Sequence, residues 1–331
     1  MAATHIRALR HVPGARITAL CNPSGRHLDG DFSNVAGNVG AKDAVKLDMA
    51  GVRATRDFNE LLQDERLDAI DICAPTKAHA DLAIAALAAG KQVLCEKPLA
   101  RDPATARRIV EAARGARGFL MPAMCLRFWP EWAWVRAAIA DQRFGRVLAA
   151  RFRRVAEPPG WGKNTFFNGA ESGGALFDLH IHDTDFVQAC FGKPTRVFAT
   201  GYQKFSGAID HVVTQYEVAS GAIVHAEGGW AMTPGFGFNM SYTVNFERAT
   251  ADYDSSRGAE ALRLSEEGQP ARTVPMTGDV PDGYVGELRH FVDCIRTHRP
   301  PTVVTAEDGL ASVTLCAAEE QSIQTRQPVT L

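Results

Sequence analysis

The sequence of 331 residues has no strong charge of either sign and no long apolar run. Its formal net charge of −2 gives no electrostatic reason to expect binding to nucleic acid or to an anionic membrane. No apolar run is long enough to cross a bilayer, and no signal peptide is recognisable at the start. These absences favour a soluble cytoplasmic protein that binds neither nucleic acid nor membranes.

The sequence also has no regular arrangement of cysteines. Its seven cysteines are scattered along the chain, and no two have the spacing of a zinc-ligand pair. An odd number does not suit a disulfide framework, so we expect free thiols in a reducing compartment and no metal site. Internal repeats and low-complexity segments are absent as well.

The first third of the chain alternates short apolar runs with helical patterns. After a helical pattern at residues 6–12, strands are predicted at residues 16–21, 68–74, 92–95 and 119–124, with helices at 58–62, at 79–89 and from Asp102. Strands separated by helices are typical of a doubly wound parallel sheet. The glycine-rich polar stretch at residues 27–51 is predicted to be mostly loop.

Beyond about residue 125 the pattern changes to longer strands without helices between them. They are predicted at residues 147–156, 196–205, 211–219, 222–232, 239–246 and 249–254. Turn signals between them favour a mostly antiparallel sheet. Helices at 286–298 and about 306–324 close the chain. We therefore expect two α/β domains, at residues 1–124 and 125–331.

Two neighbouring strands of the predicted parallel sheet end in residues suited to binding. One strand ends at Ala74-Pro75-Thr76, with His79 in the following helix, and the next ends at Glu96-Lys97-Pro98. Open α/β sheets bind ligands at the carboxyl ends of their strands, so these residues are candidates for a ligand site. The alternative for Glu96-Lys97-Pro98 is an ordinary solvated turn.

A second stretch, "ESGGALFDLHIHDTDFV", places acids and a histidine at helical spacing. Asp178, His182 and Asp185 would share one helix face, where a carboxylate can orient an imidazole for proton transfer. The plain alternative is a solvated helix pair, but the preceding Gly173-Gly174 favours a functional site. His180-Ile181-His182 is also similar to the histidine pairs of amidohydrolase zinc sites. Antiparallel strands follow it here instead of βα repeats, which counts against that alternative.

These motifs together resemble one family. "AGKQVLCEKPLA", "LRFWP", "GGALFDLHIHDTD" and the segment from Glu287 to the end resemble the Gfo/Idh/MocA oxidoreductases, which include inositol dehydrogenases and glucose–fructose oxidoreductases. The resemblance covers nearly the whole chain. It implies a Rossmann domain followed by an α/β domain with a large, mostly antiparallel sheet. It also implies NAD(P)-dependent oxidation or reduction of a sugar, cyclitol or similar polyol.

The resemblance further implies roles for individual residues. Lys97 would be the catalytic lysine that hydrogen-bonds the reacting hydroxyl, and His182 the general acid/base. Asp178 would hold the substrate and His182 in place. Arg127 matches a substrate-contacting arginine of some members, and Trp161 lies in a loop predicted to reach the pocket. The cofactor would lie along the two strand ends, at Ala74, Pro75, Thr76, His79, Glu96 and Lys97, and the Lys97–Pro98 bond would be cis.

The end of the strand at residues 16–21 bears on the choice of cofactor. An acidic residue at such a strand end holds the ribose of NAD, whereas a nearby arginine accommodates the 2′-phosphate of NADP. Here Asn22 replaces the acid, and Ser24 and Arg26 offer a hydroxyl and a charge-assisted contact. The sequence therefore predicts a nicotinamide cofactor with NADP favoured over NAD.

The family's first strand and its G-x-G-x-x-G turn have no counterpart before the helical pattern at residues 6–12. Their absence would leave neighbouring strands unpaired and remove N–H groups that hold a pyrophosphate. Because Lys97, Asp178 and His182 are all present, we expect an upstream segment to supply this element.

The alternative is a variant that has lost standard cofactor binding and acts as a ligand sensor or regulator. A third hypothesis is an NAD-dependent glycosidase. In each case the resemblance implies a homodimer or homotetramer formed through the C-terminal sheet.

Overall fold

The computed structural model describes residues 1–35, 44–162 and 166–331. Its N-terminal part alternates helices and strands, as predicted. The elements are α1 (Ala2–Leu9), β1 (Ala19–Cys21), β2 (Arg53–Thr55), α2 (Phe58–Leu62), β3 (Ala69–Ile72), α3 (Thr76–Ala88), β4 (Gln92–Glu96), α4 (Pro103–Gly115) and β5 (Leu120–Ala123). Residues 36–43 of the predicted loop lie outside the described residues.

The parallel strands form two sheets. β1 pairs with β2, and β4 lies between β3 and β5, with every pairing parallel. Within the described part of the chain no strand pairs with both β1 and β3, so the two parallel sheets are separate. The carboxyl ends of β3 and β4 nevertheless lie side by side, with Ile72 opposite Cys95. This register brings the two predicted strand-end motifs together.

The C-terminal part is built on one nine-stranded sheet, in the order β13-β12-β11-β10-β6-β9-β8-β7-β14. Its strands are β6 (Val147–Ala156), β7 (Arg196–Tyr202), β8 (His211–Glu217), β9 (Ile223–Gly229), β10 (Phe238–Phe246), β11 (Ala249–Asp254), β12 (Leu262–Glu266), β13 (Arg272–Thr273) and β14 (Val329–Thr330). All neighbours are antiparallel except β6 and β9, which are parallel. The prediction of a mostly antiparallel sheet is confirmed.

The helices of this part lie around the sheet. They are α5 (Pro130–Ala140), α6 (Gly169–Ser172), α7 (Ile181–Phe191), α8 (Gly283–Thr297) and α9 (Ala306–Thr325). A five-residue π-helix, Leu176–His180, leads directly into α7. No helix among the residues that the structure describes is long and apolar enough to cross a membrane.

The large sheet buries one face and exposes the other. Along β8, Val212 and Tyr216 are buried while Val213 is 40% exposed, which is the alternation that a half-buried strand requires. The buried face packs against α7 and α9. Helix α8 contributes Leu288 and Phe291 to the buried cluster that contains the cores of β3 and β4. The proposed domains at residues 1–124 and 125–331 therefore share an apolar core.

Candidate active site

Lys97 follows the buried strand β4 and lies close to Asp178. The Lys97–Pro98 peptide bond is cis, as expected. The ammonium of Lys97 donates to Asp178 Oδ1 at 2.9 Å and to the Asp178 carbonyl oxygen at 2.5 Å. The Lys97 side chain is only 12% exposed and that of Asp178 25%. The structure thus joins the two motifs that the sequence predicts to form the site.

The doubled glycines shape the turn before Asp178. Gly173 and Gly174 both have positive φ, +79° and +68°. A Cβ at Gly174 would lie 2.5 Å from the carbonyl oxygen of Ile209, so the chain passes too close to this backbone for any larger residue. The π-helix that follows carries Asp178 to the ammonium of Lys97. Such single-turn π segments occur frequently at functional sites.

His182 lies in the first turn of α7, and its Nδ1 is buried without a hydrogen-bond partner. Burial lowers the pKa of His182 well below the usual value, and the charges of Lys97 and Arg154 lower it further. Asp178 and Glu96, in contrast, raise the pKa of Lys97 against the effect of burial. At neutral pH the site therefore contains an ammonium beside an unprotonated imidazole.

The predicted cluster of Asp178, His182 and Asp185 on one helix face is not what the structure shows. Asp178 bonds to Lys97, and Asp185 is fully buried against Arg127. The π-helix between residues 176 and 180 changes the spacing on which the α-helical expectation depended. The Nδ1 of His182 therefore has no carboxylate partner in the structure.

Arg127 also differs from the expectation that it meets the substrate. Its Nε and Nη2 donate to the two carboxylate oxygens of Asp185, each at 2.7 Å, and Nη1 donates to the carbonyl of Val303 at 2.8 Å. The residue is 4% exposed. Because all three guanidinium nitrogens bind protein atoms, Arg127 joins α7, through Asp185, to the backbone at Val303.

Trp161, the other predicted substrate contact, lies in a short 3₁₀ helix, Gly160–Gly162. Its side chain is outside the described part of the structure.

The carboxyl end of β3 places Ala74, Pro75 and Thr76 at the start of α3, as predicted. His79 behaves differently from the expected cofactor ligand. Its Nδ1 lies 2.8 Å from the Pro98 carbonyl and its Nε2 lies 2.8 Å from the Ala74 carbonyl. Because both ring nitrogens contact backbone oxygens, His79 ties the two strand ends together.

The predicted cofactor-selecting residues form a compact turn after β1. Asn22 Oδ1 accepts from the backbone N–H and the hydroxyl of Ser24, at 3.0 and 2.9 Å, and Asn22 Nδ2 donates to the Arg26 carbonyl at 2.9 Å. Gly25 has φ +79°, and a Cβ there would collide with the guanidinium of Arg56. Two arginines therefore lie at a turn without an acidic residue, and the sequence alone indicated only Arg26.

The residues of these strand ends fit both ends of a nicotinamide dinucleotide. An ammonium beside a buried, unpartnered imidazole nitrogen suits the transfer of a proton at a reacting hydroxyl. The turn at residues 22–26, with its arginines, suits the adenosine ribose. A glycine-rich turn for the pyrophosphate has no counterpart among residues 1–35 and 44–162.

Sequence reasoning missed a buried group of ionisable residues beside this site. His5, Asp71 and Glu96 are in contact, and Glu96 precedes Lys97 directly. The available signal was the charged Asp71 within the apolar strand β3.

Comparison with known proteins identifies the family of both parts of the chain. Residues 1–123 match the family described as "Oxidoreductase family, NAD-binding Rossmann fold", and residues 132–252 match the "GFO/IDH/MocA C-terminal domain". A myo-inositol 2-dehydrogenase of Thermotoga maritima is 27% identical over 84% of this chain and 84% of its own length. A scyllo-inositol 2-dehydrogenase (NAD(+)) of Bacillus subtilis is 25% identical over 97% of this chain and 90% of its own.

A solved structure of similar fold is levoglucosan dehydrogenase in complex with NADH and levoglucosan. It has a TM-score of 0.77 and 22% identity, and the match covers 84% of each chain. The two family matches, at successive parts of the chain, agree with the parallel N-terminal strands and the large C-terminal sheet. The chain belongs to the Gfo/Idh/MocA oxidoreductases and is an NAD(P)-dependent dehydrogenase.

Proposed function

We propose that the protein transfers a hydride between a nicotinamide cofactor and a hydroxyl or carbonyl carbon of a sugar, cyclitol or similar polyol. The observation that carries this proposal is the Lys97–Asp178 contact beside the unpartnered Nδ1 of His182. The inositol dehydrogenases among its relatives support the substrate class.

Lys97 and His182 have complementary roles in this proposal. The Lys97 ammonium donates a hydrogen bond to the reacting oxygen and stabilises the negative charge that develops there. The neutral imidazole of His182 accepts the hydroxyl proton in the oxidation and returns it in the reduction. When bound, the nicotinamide cofactor supplies the hydride acceptor or donor. The pKa directions of the two groups, raised for Lys97 and lowered for His182, suit this division.

Asp178 and the other predicted substrate contacts take supporting roles. Asp178 fixes the position of Lys97 and, being 25% exposed, can also contact a substrate hydroxyl. Trp161 remains a proposed substrate contact. Arg127 is proposed to act through Asp185 on helix α7, which carries His182.

For the cofactor, we propose that NADP is favoured over NAD. The turn after β1 carries Asn22 where an acid would repel the 2′-phosphate, and Arg26 and Arg56 lie beside it. Glu96, Ala74, Pro75 and Thr76 are proposed to line the cofactor at the ends of β4 and β3, with His79 fixing their position.

We also propose a cytoplasmic homodimer or homotetramer that forms through the exposed face of the large sheet. That face carries four large apolar side chains at 40–62% exposure, namely Phe198, Tyr202, Val213 and Ile223. Adjacent strands place them on the same side, which makes a patch typical of protein interfaces. The seven free cysteines suit a reducing compartment.

The test of the proposed function is a screen of the purified protein against a panel of polyols, their ketones and glycosides, with NAD and NADP in turn. A change in the nicotinamide absorbance band with a member of the panel is the expected result. Ligand binding without turnover would favour the sensor hypothesis. Glycoside cleavage without net cofactor reduction would favour the glycosidase.

A further inference from the structure

A buried charged group lies directly behind the proposed catalytic lysine. His5 on α1 is 1% exposed and contacts carboxylates on both sides. Its Nδ1 is hydrogen-bonded to Asp71 Oδ2 on β3 at 2.8 Å. Its Nε2 lies 3.1 Å from Glu96 Oε1 on β4, which is an ion-pair distance without the alignment of a hydrogen bond. A histidine held between two carboxylates is in the arrangement that stabilises the imidazolium form.

Glu96 connects this histidine to Lys97. One carboxylate oxygen of Glu96 faces His5, and the other, Oε2, accepts the backbone N–H of Lys97 at 3.1 Å. Glu96 is 5% exposed, so an ionised carboxylate there needs a cation close by. The imidazole of His5, 3.1 Å away, is the side chain that can supply this cation.

We propose that His5 is a positioning residue for the reaction: as an imidazolium it keeps Glu96 ionised, and Glu96 then holds the backbone of Lys97 and supports its ammonium. This inference rests on the proposed role of Lys97. It goes beyond the family's strand-end motif at residues 96–98, because His5 on α1 and Asp71 on β3 lie outside that motif and determine the charge of Glu96.

The remaining groups around His5 agree with this charge pattern. Directly after β3, the thiol of Cys73 lies 3.6 Å from His5 Nδ1, and Asp71 on β3 is the one carboxylate of the group with a partly exposed side chain, at 31%. On α8, the ring of Tyr284 has its centroid 6.4 Å from that of His5. Glu287, also on α8, is fully buried with both carboxylate oxygens unpartnered.

The pKa directions support the same arrangement. Burial lowers the pKa of His5, but Asp71 raises it to a net value well above the usual one. Burial raises the pKa of Glu96, but His5, Lys97 and the amino group of Met1 lower it below its usual value. Burial raises the pKa of Glu287 well above its usual value, which favours the uncharged form of this acid. One cation thus lies between two anions.

Removing the charge of His5 should shift the pKa of Lys97 in one direction. Without the imidazolium, the buried Glu96 takes up a proton, and Lys97 loses the negative charge that supports its ammonium. The pKa of Lys97 should then fall. A histidine that only packs in the core would not change the pKa of Lys97 in a fixed direction.

The test measures the pKa of Lys97 in the full chain without substrate. Trace acetylation across a pH series, followed by peptide mass spectrometry, reports each lysine separately, with the exposed Lys193 as internal reference. His5→Gln and Glu96→Gln should each lower the pKa of Lys97 by roughly one unit. The matched control is His11→Gln, which changes an exposed histidine at the end of the same helix.

A second measurement does not depend on any variant folding. Nitrogen NMR of the wild-type histidines should show His5 as an imidazolium at neutral pH. A neutral His5, or a Lys97 pKa that stays at the wild-type value in folded His5→Gln and Glu96→Gln, would overturn the inference. Because neither measurement uses turnover, a failure of the proposed function would appear separately, as absence of activity in the polyol screen.

Discussion

The ammonium of Lys97 and the carboxylate of Asp178 lie 2.9 Å apart although 81 residues separate them in the sequence. This contact joins the end of a parallel strand to a π-helix of the other half of the chain. We interpret the pair as part of an active site because the nearby His182 has a buried ring nitrogen without a hydrogen-bond partner. Each of these three side chains can be tested by a single substitution.

Replacing Lys97 with Met should lower turnover by about 10²-fold or more, because the reacting oxygen loses its charged hydrogen-bond donor. Steady-state rates from the nicotinamide absorbance would measure the loss. Lys77→Met is the matched control, since Lys77 is 67% exposed in its side chain. Circular dichroism would confirm that both variants fold. Turnover equal to the wild type in folded Lys97→Met would remove the lysine from the mechanism.

The pH dependence of alcohol oxidation should reflect the lowered pKa of His182. The base is the unprotonated imidazole, and its pKa lies well below 6.5, so the rate should not fall as the pH drops through the ordinary histidine range. A raised pKa of Lys97 likewise keeps its ammonium above the usual lysine range. An acid limb of kcat/KM at about 6.5 that disappears in His182→Gln would contradict this assignment.

Breaking the buried pair of Arg127 and Asp185 should destabilise the fold. Arg127→Met leaves Asp185, which is fully buried, without its bidentate partner, and such a loss costs about 3 kcal/mol of unfolding free energy. Chemical denaturation would measure it, with Arg127→Met/Asp185→Leu expected to recover part of the loss. If Arg127 instead bound substrate directly, the variant would raise KM and leave the stability unchanged.

Arg26 and Arg56 should control the preference for NADP. Arg26→Ala and Arg56→Ala should each weaken NADP binding by about tenfold and leave NAD binding nearly unchanged, because a charge-assisted contact to the 2′-phosphate is lost. Titration calorimetry with both cofactors would show this. Arg66→Ala, at a side chain that is 83% exposed and pairs with Asp64, is the control. Equal losses for both cofactors would contradict a role in selection.

The exposed sheet face should carry the subunit interface. Ile223→Glu places a charge on this face at the start of β9, at a position that is 62% exposed in the single chain. Light scattering after size-exclusion chromatography should show a smaller assembly than the wild type. Phe236→Glu, at an exposed residue outside the strands, should leave the assembly unchanged. A monomeric wild type would remove this proposal altogether.

Much of the fold was predictable because its signals are local. Strand β4 and the Lys97–Pro98 segment are marked by an apolar run that ends in charges, and β8 by strict alternation. The short strands β2, β12, β13 and β14 were missed, since they are defined by pairing with other strands more than by their own composition. The positions of β12, β13 and β14 depend on the long sheet already being formed.

The site was predictable in its residues and less so in its contacts. Spacing indicated Asp178 and His182, but an α-helical count could not foresee the π-helix that turns Asp178 toward Lys97. The sequence indicated Arg127 as a site residue, but only the structure shows that its partner is Asp185. The contact of His5 with Asp71 and Glu96 joins three separate elements, so no local pattern could show it.

The central claim is that Lys97 and His182 act together in nicotinamide-dependent chemistry at a polyol hydroxyl. The most direct measurement compares wild type, Lys97→Met and His182→Gln with the best polyol of the panel, following nicotinamide absorbance and cofactor affinity in parallel. The account predicts that both variants fold and bind the cofactor like the wild type while turnover falls by about 10²-fold or more. Turnover that is unchanged in both folded variants would contradict it.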